Sequence, residues 1–345
     1  MKRPLRTLFY GRTHEHAAGK LNTLRKLKDY FEVIAIVDDR PRRSMRFVDP
    51  QYPFDDTGFK VISEEEATAV DGIDVAFVET ANCDLMADAA KFAARGIAMH
   101  CDKPCGERME PYRLLVENCR ARNVPFQIGY MYRGNPAVRW ISEKVQAGLL
   151  GDVTFIEADM NHDYGVEGYA EYISSFKGGI FYNLACHLID MIVPLVRGKI
   201  VSVRSRIGEA PGCPSGSKTS GTAYFRFEGT DVLLRTSANM PGGVLCRRLR
   251  IDGTNGTVDL CPIERFDGVE LKLMLSLKET RCGCSAGRGE IAFGVQTDRY
   301  AAQLLDLAAI VRGDKLNDQD YDRDLRVHEL LLMACGINYE DERQK

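Results

Sequence analysis

Over the first third of the chain, short apolar runs alternate with stretches whose apolar residues recur every three or four positions. Residues 5–10 form the first run, which meets Gly11. A helical stretch follows, opened by Arg12-Thr13-His14-Glu15-His16 and carried by Ala17, Leu21, Leu24 and Phe31. Apolar runs return at residues 33–37, 73–78, 97–101 and 125–128, with helical patterns at 84–95 and 107–122 between them. Runs of this kind suit strands buried on both faces. Their alternation with helices predicts an α/β domain built on a doubly wound parallel sheet.

The pattern changes after residue 128. A helix is expected from Pro136 to about residue 147, closed by Gly148 and Gly151, then a strand at 153–158 and a helical segment at 181–193. Further stretches near 200–208, 222–228, 231–239, 246–252 and 257–261 are separated by Gly-, Asp- and Asn-containing turns. They predict an α+β domain with a large, mostly antiparallel open sheet, one face on helices. Residues 297–313 and 325–337 read as two late helices. A chain of 345 residues is long for one core, so two domains are expected, over 1–128 and 129–345.

Composition narrows the partners. A hydrophobic share of 45% with 28% charged residues is that of an ordinary globular protein. A net charge of -3 leaves no electrostatic footprint for nucleic acid or an anionic membrane. No apolar run reaches the roughly 18 residues of a membrane span, and the basic start lacks an apolar signal core. The 11 cysteines form no repeated CxxC, and Cys282 and Cys284 are too close for the usual zinc knuckle. Free thiols in a reducing cytoplasm are therefore expected.

Candidate chemistry gathers where the apolar runs end. The run at 97–101 ends in Asp102-Lys103-Pro104, and open α/β sheets take their ligands at the carboxyl ends of strands. Pro104 restricts the backbone of Lys103, and a lysine partly desolvated there can exchange protons or donate to a substrate oxygen. Strand, Gly11 turn and helix start form an arrangement that binds a pyrophosphate through free N–H groups. Thr13 and His16 stand where later glycines of that fingerprint are expected, with Arg12 and His14 in the same turn. Asp38 and Asp39 end the second run; a carboxylate there accepts both ribose hydroxyls and favours NAD, while Arg40 leaves NADP open. Thr80 and Asn82 sit where the nicotinamide side of a cofactor would pass. His14-Glu15-His16 has the His-x-His spacing of metal hydrolases, but no second histidine pair and no eightfold strand–helix series accompany it. No metal site is assigned.

These residues appear in order with Gly129-Tyr130-Met131-Tyr132-Arg133 and the run Gly178-Gly179-Ile180-Phe181-Tyr182-Asn183-Leu184-Ala185-Cys186-His187-Leu188-Ile189-Asp190. Together they resemble the Gfo/Idh/MocA oxidoreductases over nearly the whole chain. The resemblance implies a Rossmann domain, an open-sheet substrate domain, and oxidation or reduction of a sugar or polyol hydroxyl with NAD(H) or NADP(H). It also implies a homodimer or homotetramer formed through the C-terminal sheet. Three departures stand out. Asp102 replaces the usual glutamate, Thr-His-Glu-His replaces the glycine turn, and Asn183 replaces an aspartate four residues before His187. An amide can orient a hydroxyl but cannot carry a proton, which leaves proton handling to Lys103 and His187. On a helix, Asn183, His187 and Asp190 share one face. Arg133, Asn135, His162 and Tyr164 are substrate candidates, the last two in an aromatic-rich segment suited to a sugar ring. Two other readings use the same residues: an NAD-dependent glycosidase working by transient oxidation and elimination, and a cofactor-binding regulator without turnover.

Overall fold

The computed structural model describes residues 2–42, 53–164 and 168–337. They form two compact units, one holding the chain up to Tyr130 with Tyr300–Leu325, the other Met131–Arg299 with the stretch from Arg326.

The first unit contains β1 (Leu5–Tyr10), α1 (Ala17–Lys26), β2 (Phe31–Val37), β3 (Val61–Ile62), α2 (Glu64–Thr68), β4 (Val75–Val78), α3 (Leu85–Ala94), β5 (Ala98–Cys101), α4 (Glu110–Arg122) and β6 (Phe126–Ile128). The strands lie in the order β3-β2-β1-β4-β5-β6, every neighbouring pair parallel. Their order reverses between β1 and β4, and a doubly wound sheet takes its ligand outside the carboxyl ends at such a point. The expected strands are all present. β3 was not expected, because two residues carry no periodicity to read. α2 was not expected either; a capping box starts it, Ser63 Oγ accepting from Glu66 N–H at 3.1 Å and the Glu66 carboxylate accepting from Ser63 N–H at 2.7 Å. α1 begins only at Ala17. Over Arg12–His16, tertiary partners claim the N–H groups: Arg12 donates to Asp39 at 2.8 Å and His14 to the Glu79 carbonyl at 3.0 Å.

The second unit contains α5 (Pro136–Gln146), β7 (Val153–Asn161), α6 (Tyr169–Ser174), α7 (Gly179–Ile192), β8 (Ile200–Gly208), β9 (Ser220–Phe227), β10 (Thr230–Ser237), β11 (Arg248–Gly253), β12 (Gly256–Leu260), β13 (Glu270–Leu277) and β14 (Gly287–Val295). Its sheet runs β14-β13-β12-β11-β7-β10-β9-β8, antiparallel except where β7 pairs with β10. α7 is buried along its whole length and packs on β7, β9 and β10. Gly178 and Gly179 are needed by the chain's own packing. A Cβ on Gly178 would lie 2.7 Å from that of Tyr182, and one on Gly179 would lie 2.5 Å from the Lys218 carbonyl. β14 escaped the sequence pattern because it is a mostly exposed strand with glycine at 287, 289 and 294.

After β14 the chain returns to the first unit as α8 (Ala301–Val311) and then enters α9 (Tyr321–Ala334). Gln127 Nε2 donates to the Gln303 carbonyl at 3.0 Å, and Gln303 Nε2 to that of Ile128 at 2.5 Å. The Tyr321 hydroxyl accepts from Phe126 N–H and donates to the Val124 carbonyl, both at 3.2 Å. Residues 300–325 thus complete the first unit, and a single division at residue 128 does not describe the chain.

Gly11 is the tightest point at the end of β1. Its φ is +97°, and a Cβ there would overlap the Thr80 side chain and lie 2.8 Å from Thr80 N. Gly11→Ala should lower unfolding stability by about 2 kcal/mol or more, read from urea denaturation, through backbone strain and overpacking together.

Candidate active site

Asp102 and Lys103, directly after β5, carry the core of the site in the first unit. Lys103 is completely buried. Its N–H donates to Asp102 Oδ1 at 2.7 Å, its carbonyl lies 3.1 Å from His14 Nε2, and its Nζ lies 3.7 Å from Glu15 Oε1. His16 Nδ1 lies 3.1 Å from Asp102 Oδ1. The segment that displaces the glycine fingerprint therefore cradles the Asp102-Lys103 turn, residue by residue.

Behind this turn is a buried charge cluster. The Lys20 ammonium, with no exposure, lies 2.6 Å from His100 Nε2, 2.7 Å from Asp102 Oδ2 and 3.4 Å from Glu79 Oε1. The bonds dictate the tautomers. Gln127 Nε2 donates to a carbonyl, so its Oε1 accepts from His100 Nδ1–H at 3.0 Å, and His100 Nε2 is left to accept from Lys20. His14 Nδ1 accepts from His16 N–H at 3.2 Å, so its Nε2 carries the proton given to the Lys103 carbonyl. Both rings are neutral. Burial, ahead of every other cause, lowers His14 to about 4 and His100 to about 3. Burial raises the Glu79 carboxyl well above its usual range, with Asp102 adding to the effect. Asp102 is held well below the usual range, because Lys20 and the two neighbouring histidines outweigh its burial. A proton on the pair thus favours Glu79 over Asp102.

Donor atoms of His14, His16 and Asp102, and of Glu79, His100 and Asp102, lie within 4.8 Å of one another. In the second triad the Lys20 ammonium already sits among the three donors as their cation. In the first, His14 has both nitrogens engaged by the backbone.

The expected cofactor residues divide into two kinds. Thr80 Oγ1 and both amide atoms of Asn82 are buried at the carboxyl end of β4, without a hydrogen-bond partner among the described residues. Asp39, by contrast, is occupied by the chain: it accepts from Arg12 N–H and from the Thr13 hydroxyl, and burial raises its carboxyl. Asp38 receives a two-pronged pair from Arg40, at 2.8 and 2.5 Å, which lowers its carboxyl. Arg12 pairs with Asp56 at 2.6 Å over the Phe54 ring.

In the second unit, α7 carries Asn183 and His187 one turn apart, both buried. The His187 ring meets Tyr132 edge-on with centroids 5.2 Å apart. The Tyr132 hydroxyl lies 2.7 Å from Glu264 Oε1, which the buried Arg247 guanidinium contacts at 2.5 Å. Arg133 forms a pair with Asp190 at 2.6 Å, and Asn135 caps α5 through Ala137 N–H at 2.9 Å. His162, Tyr164 and Tyr169 pack ring against ring, at 4.3 Å for the first pair. Beside His162 in the chain, Asn161 is completely buried and neither of its amide atoms has a partner.

Residues 138–259 match the model of the GFO/IDH/MocA C-terminal domain. A 130-residue stretch, 37% of the chain, is 31% identical to the rhizopine catabolism protein MocA of Rhizobium meliloti and spans 38% of that protein. Over this stretch the chain resembles the Gfo/Idh/MocA C-terminal domain. The matched stretch is well under half of MocA, and the likeness of the whole molecule is one of fold, to solved structures of low sequence identity. UDP-N-acetylglucosamine 3-dehydrogenase GnnA from Acidithiobacillus ferrooxidans superposes with a TM-score of 0.74 at 17% identity, over 99% of both chains. An oxidoreductase from Agrobacterium radiobacter, solved with NAD+, L-tartaric acid and magnesium, gives 0.74 at 15% identity over 96% of both. No described helix is long and apolar enough to cross a membrane.

Several residues of the site lay outside the sequence reading. Lys20 had a signal: positions 17, 20, 21 and 24 form one helical face, so a lysine at 20 falls on the apolar stripe. Glu79 was visible only as a strand end. Arg247 and Glu264 had none, because they meet each other and Tyr132 only in the folded chain.

The cluster makes stability depend on pH in a stated direction. His14 and His100 stay neutral in the folded state and take protons when unfolded, so their contribution is lost as pH falls below 6.5. Glu79 has a raised folded pKa, so its contribution is present in acid and lost as pH rises towards that value. Relative to the parent, Glu79→Gln should gain unfolding free energy, about 1 kcal/mol per pH unit, as pH rises from 4.5 towards the raised value of the Glu79 carboxyl. Urea denaturation across that range measures it; equal slopes for the two proteins would contradict the assignment.

Proposed function

We propose that this protein is a nicotinamide-dependent oxidoreductase that moves a hydride to or from a secondary alcohol of a sugar, polyol or glycoside. The observation that carries the reading is the completely buried Lys103 at the end of β5, with the unpartnered polar atoms of Thr80 and Asn82 on the neighbouring strand end. That is the edge at which a doubly wound sheet binds a dinucleotide. The names of the structural neighbours, a sugar-nucleotide dehydrogenase and an oxidoreductase holding NAD+, support the same class.

Gly11, Arg12, Thr80, Asn82 and Asp38 would hold NAD, and Arg40 beside Asp38 would accommodate the extra phosphate of NADP. Bound there, the nicotinamide ring supplies or takes up the hydride. The chain's residues manage the proton and the oxygen. His187 takes the hydroxyl proton as general base, and its own edge contact with Tyr132 restrains the ring. Lys103 would donate to a substrate oxygen and stabilise the negative charge that develops on it. Asn183 orients a hydroxyl by donating and accepting, without carrying a proton.

Incubating the protein with NAD+ or NADP+ and a panel of sugars, polyols and nucleotide sugars tests this by the appearance of reduced nicotinamide. Lys103→Ala should slow turnover about 10²-fold or more while leaving cofactor affinity near that of the parent. Full turnover by that variant, or tight cofactor binding with no substrate oxidised, would remove the mechanism. Arg40→Ala leaves Asp38 uncompensated, so the KM for NADP+ should rise about tenfold relative to that for NAD+.

A further inference from the structure

We propose that Lys20 is the positioning residue that sets Lys103, acting through Asp102. The proposal rests on the reading above, in which Lys103 acts on the substrate oxygen. Lys20 and Asp102 are both completely buried, and each would be costly there without the other. The lysine is held from several sides. His100 Nε2 and Glu79 Oε1 take its other protons, the Tyr300 ring lies 4.9 Å from its Nζ, and His100 is fixed in turn through Gln127 to α8.

The consequence falls on the carboxylate. With Oδ2 bound to Lys20 at 2.7 Å, Asp102 presents Oδ1 to Lys103 N–H at 2.7 Å and to His16 at 3.1 Å. Those contacts fix the backbone from which the Lys103 side chain projects. The other titratable groups at this point are Glu79, His14, His16 and His100. Glu79 and Asp102 face a single lysine, so removing its charge leaves two carboxyl groups without a buried cation. Asp102 then takes up a proton at neutral pH, Oδ1 or Oδ2 becomes a hydroxyl, and its hold on the Lys103 N–H weakens. Lys20 itself touches neither substrate nor cofactor in this account.

Lys20→Met keeps the apolar stem and removes the charge. Its kcat at neutral pH should fall about tenfold or more with KM changed little, as expected for a displaced catalytic group. The loss should shrink as pH rises and Asp102 ionises again. Asp102→Asn should show the loss without that recovery, and the double variant should be no slower than Asp102→Asn. Amide hydrogen exchange at Lys103, followed by NMR without substrate, should quicken in Lys20→Met. This second readout stands apart from activity: if the parent protein oxidises nothing on the panel, the functional reading fails while exchange at Lys103 still decides the positioning. A folded Lys20→Met with parental kcat and parental Lys103 exchange overturns the proposal. Should that variant fail to fold, Lys20→Gln, which retains an N–H donor, is measured in the same two ways, and parental values in it overturn the proposal equally.

Discussion

An ammonium and a carboxylate 2.7 Å apart, both out of reach of water, organise the ligand edge of the first sheet. Charges so buried persist only when each is matched and every remaining donor or acceptor is used. The match between Lys20 and Asp102 decides the state of everything around it. Burial raises the Glu79 carboxyl well above its usual range, while Lys20 outweighs the burial of Asp102 and holds that carboxyl down. His100 accepts from the lysine ammonium, and burial holds its ring well below the usual imidazole range.

The same interaction gives a physical meaning to the altered turn after β1. A glycine-rich turn keeps its backbone bare for a pyrophosphate. Here Thr13 binds Asp39, His14 the Lys103 carbonyl and His16 the Asp102 carboxylate, while Glu15 lies beside the Lys103 ammonium. The turn supports the lysine loop through these contacts. The second unit repeats the design on a smaller scale, with the buried Arg247–Glu264 pair fixing the Tyr132 hydroxyl under His187. In both units a buried ion pair of long sequence separation stands behind a group assigned to the chemistry.

Much of the fold was legible along the chain. β1, β2, β4, β5 and β6 are mostly apolar runs, the pattern of strands in a sheet covered on both faces. β3, β13 and β14 were not expected. β3 has two residues, and β14 turns most of its side chains to solvent. The start of α1 was misplaced by five residues because Arg12 and His14 donate their N–H groups to Asp39 and to the Glu79 carbonyl, and local propensity contains no trace of those partners. The place of residues 300–325 was equally hidden, since it rests on bonds between Gln303 and β6.

For the site, local pattern was enough to single out Lys103 at a strand end, Asp38 with Arg40, Thr80 with Asn82, and His187 with Asn183 on one helix. These are statements about position along an element, and periodicity determines position. Which of them are taken up by the chain was decided only by the tertiary structure: Asp39 by its loop, Arg133 by Asp190, Asn135 by the start of α5. So too were the charge states of Lys20, Glu79, His100 and Asp102. Desolvation and Coulomb interactions depend on distances through space, and residues 20, 79, 100 and 102 meet only when the sheet brings their strand ends together.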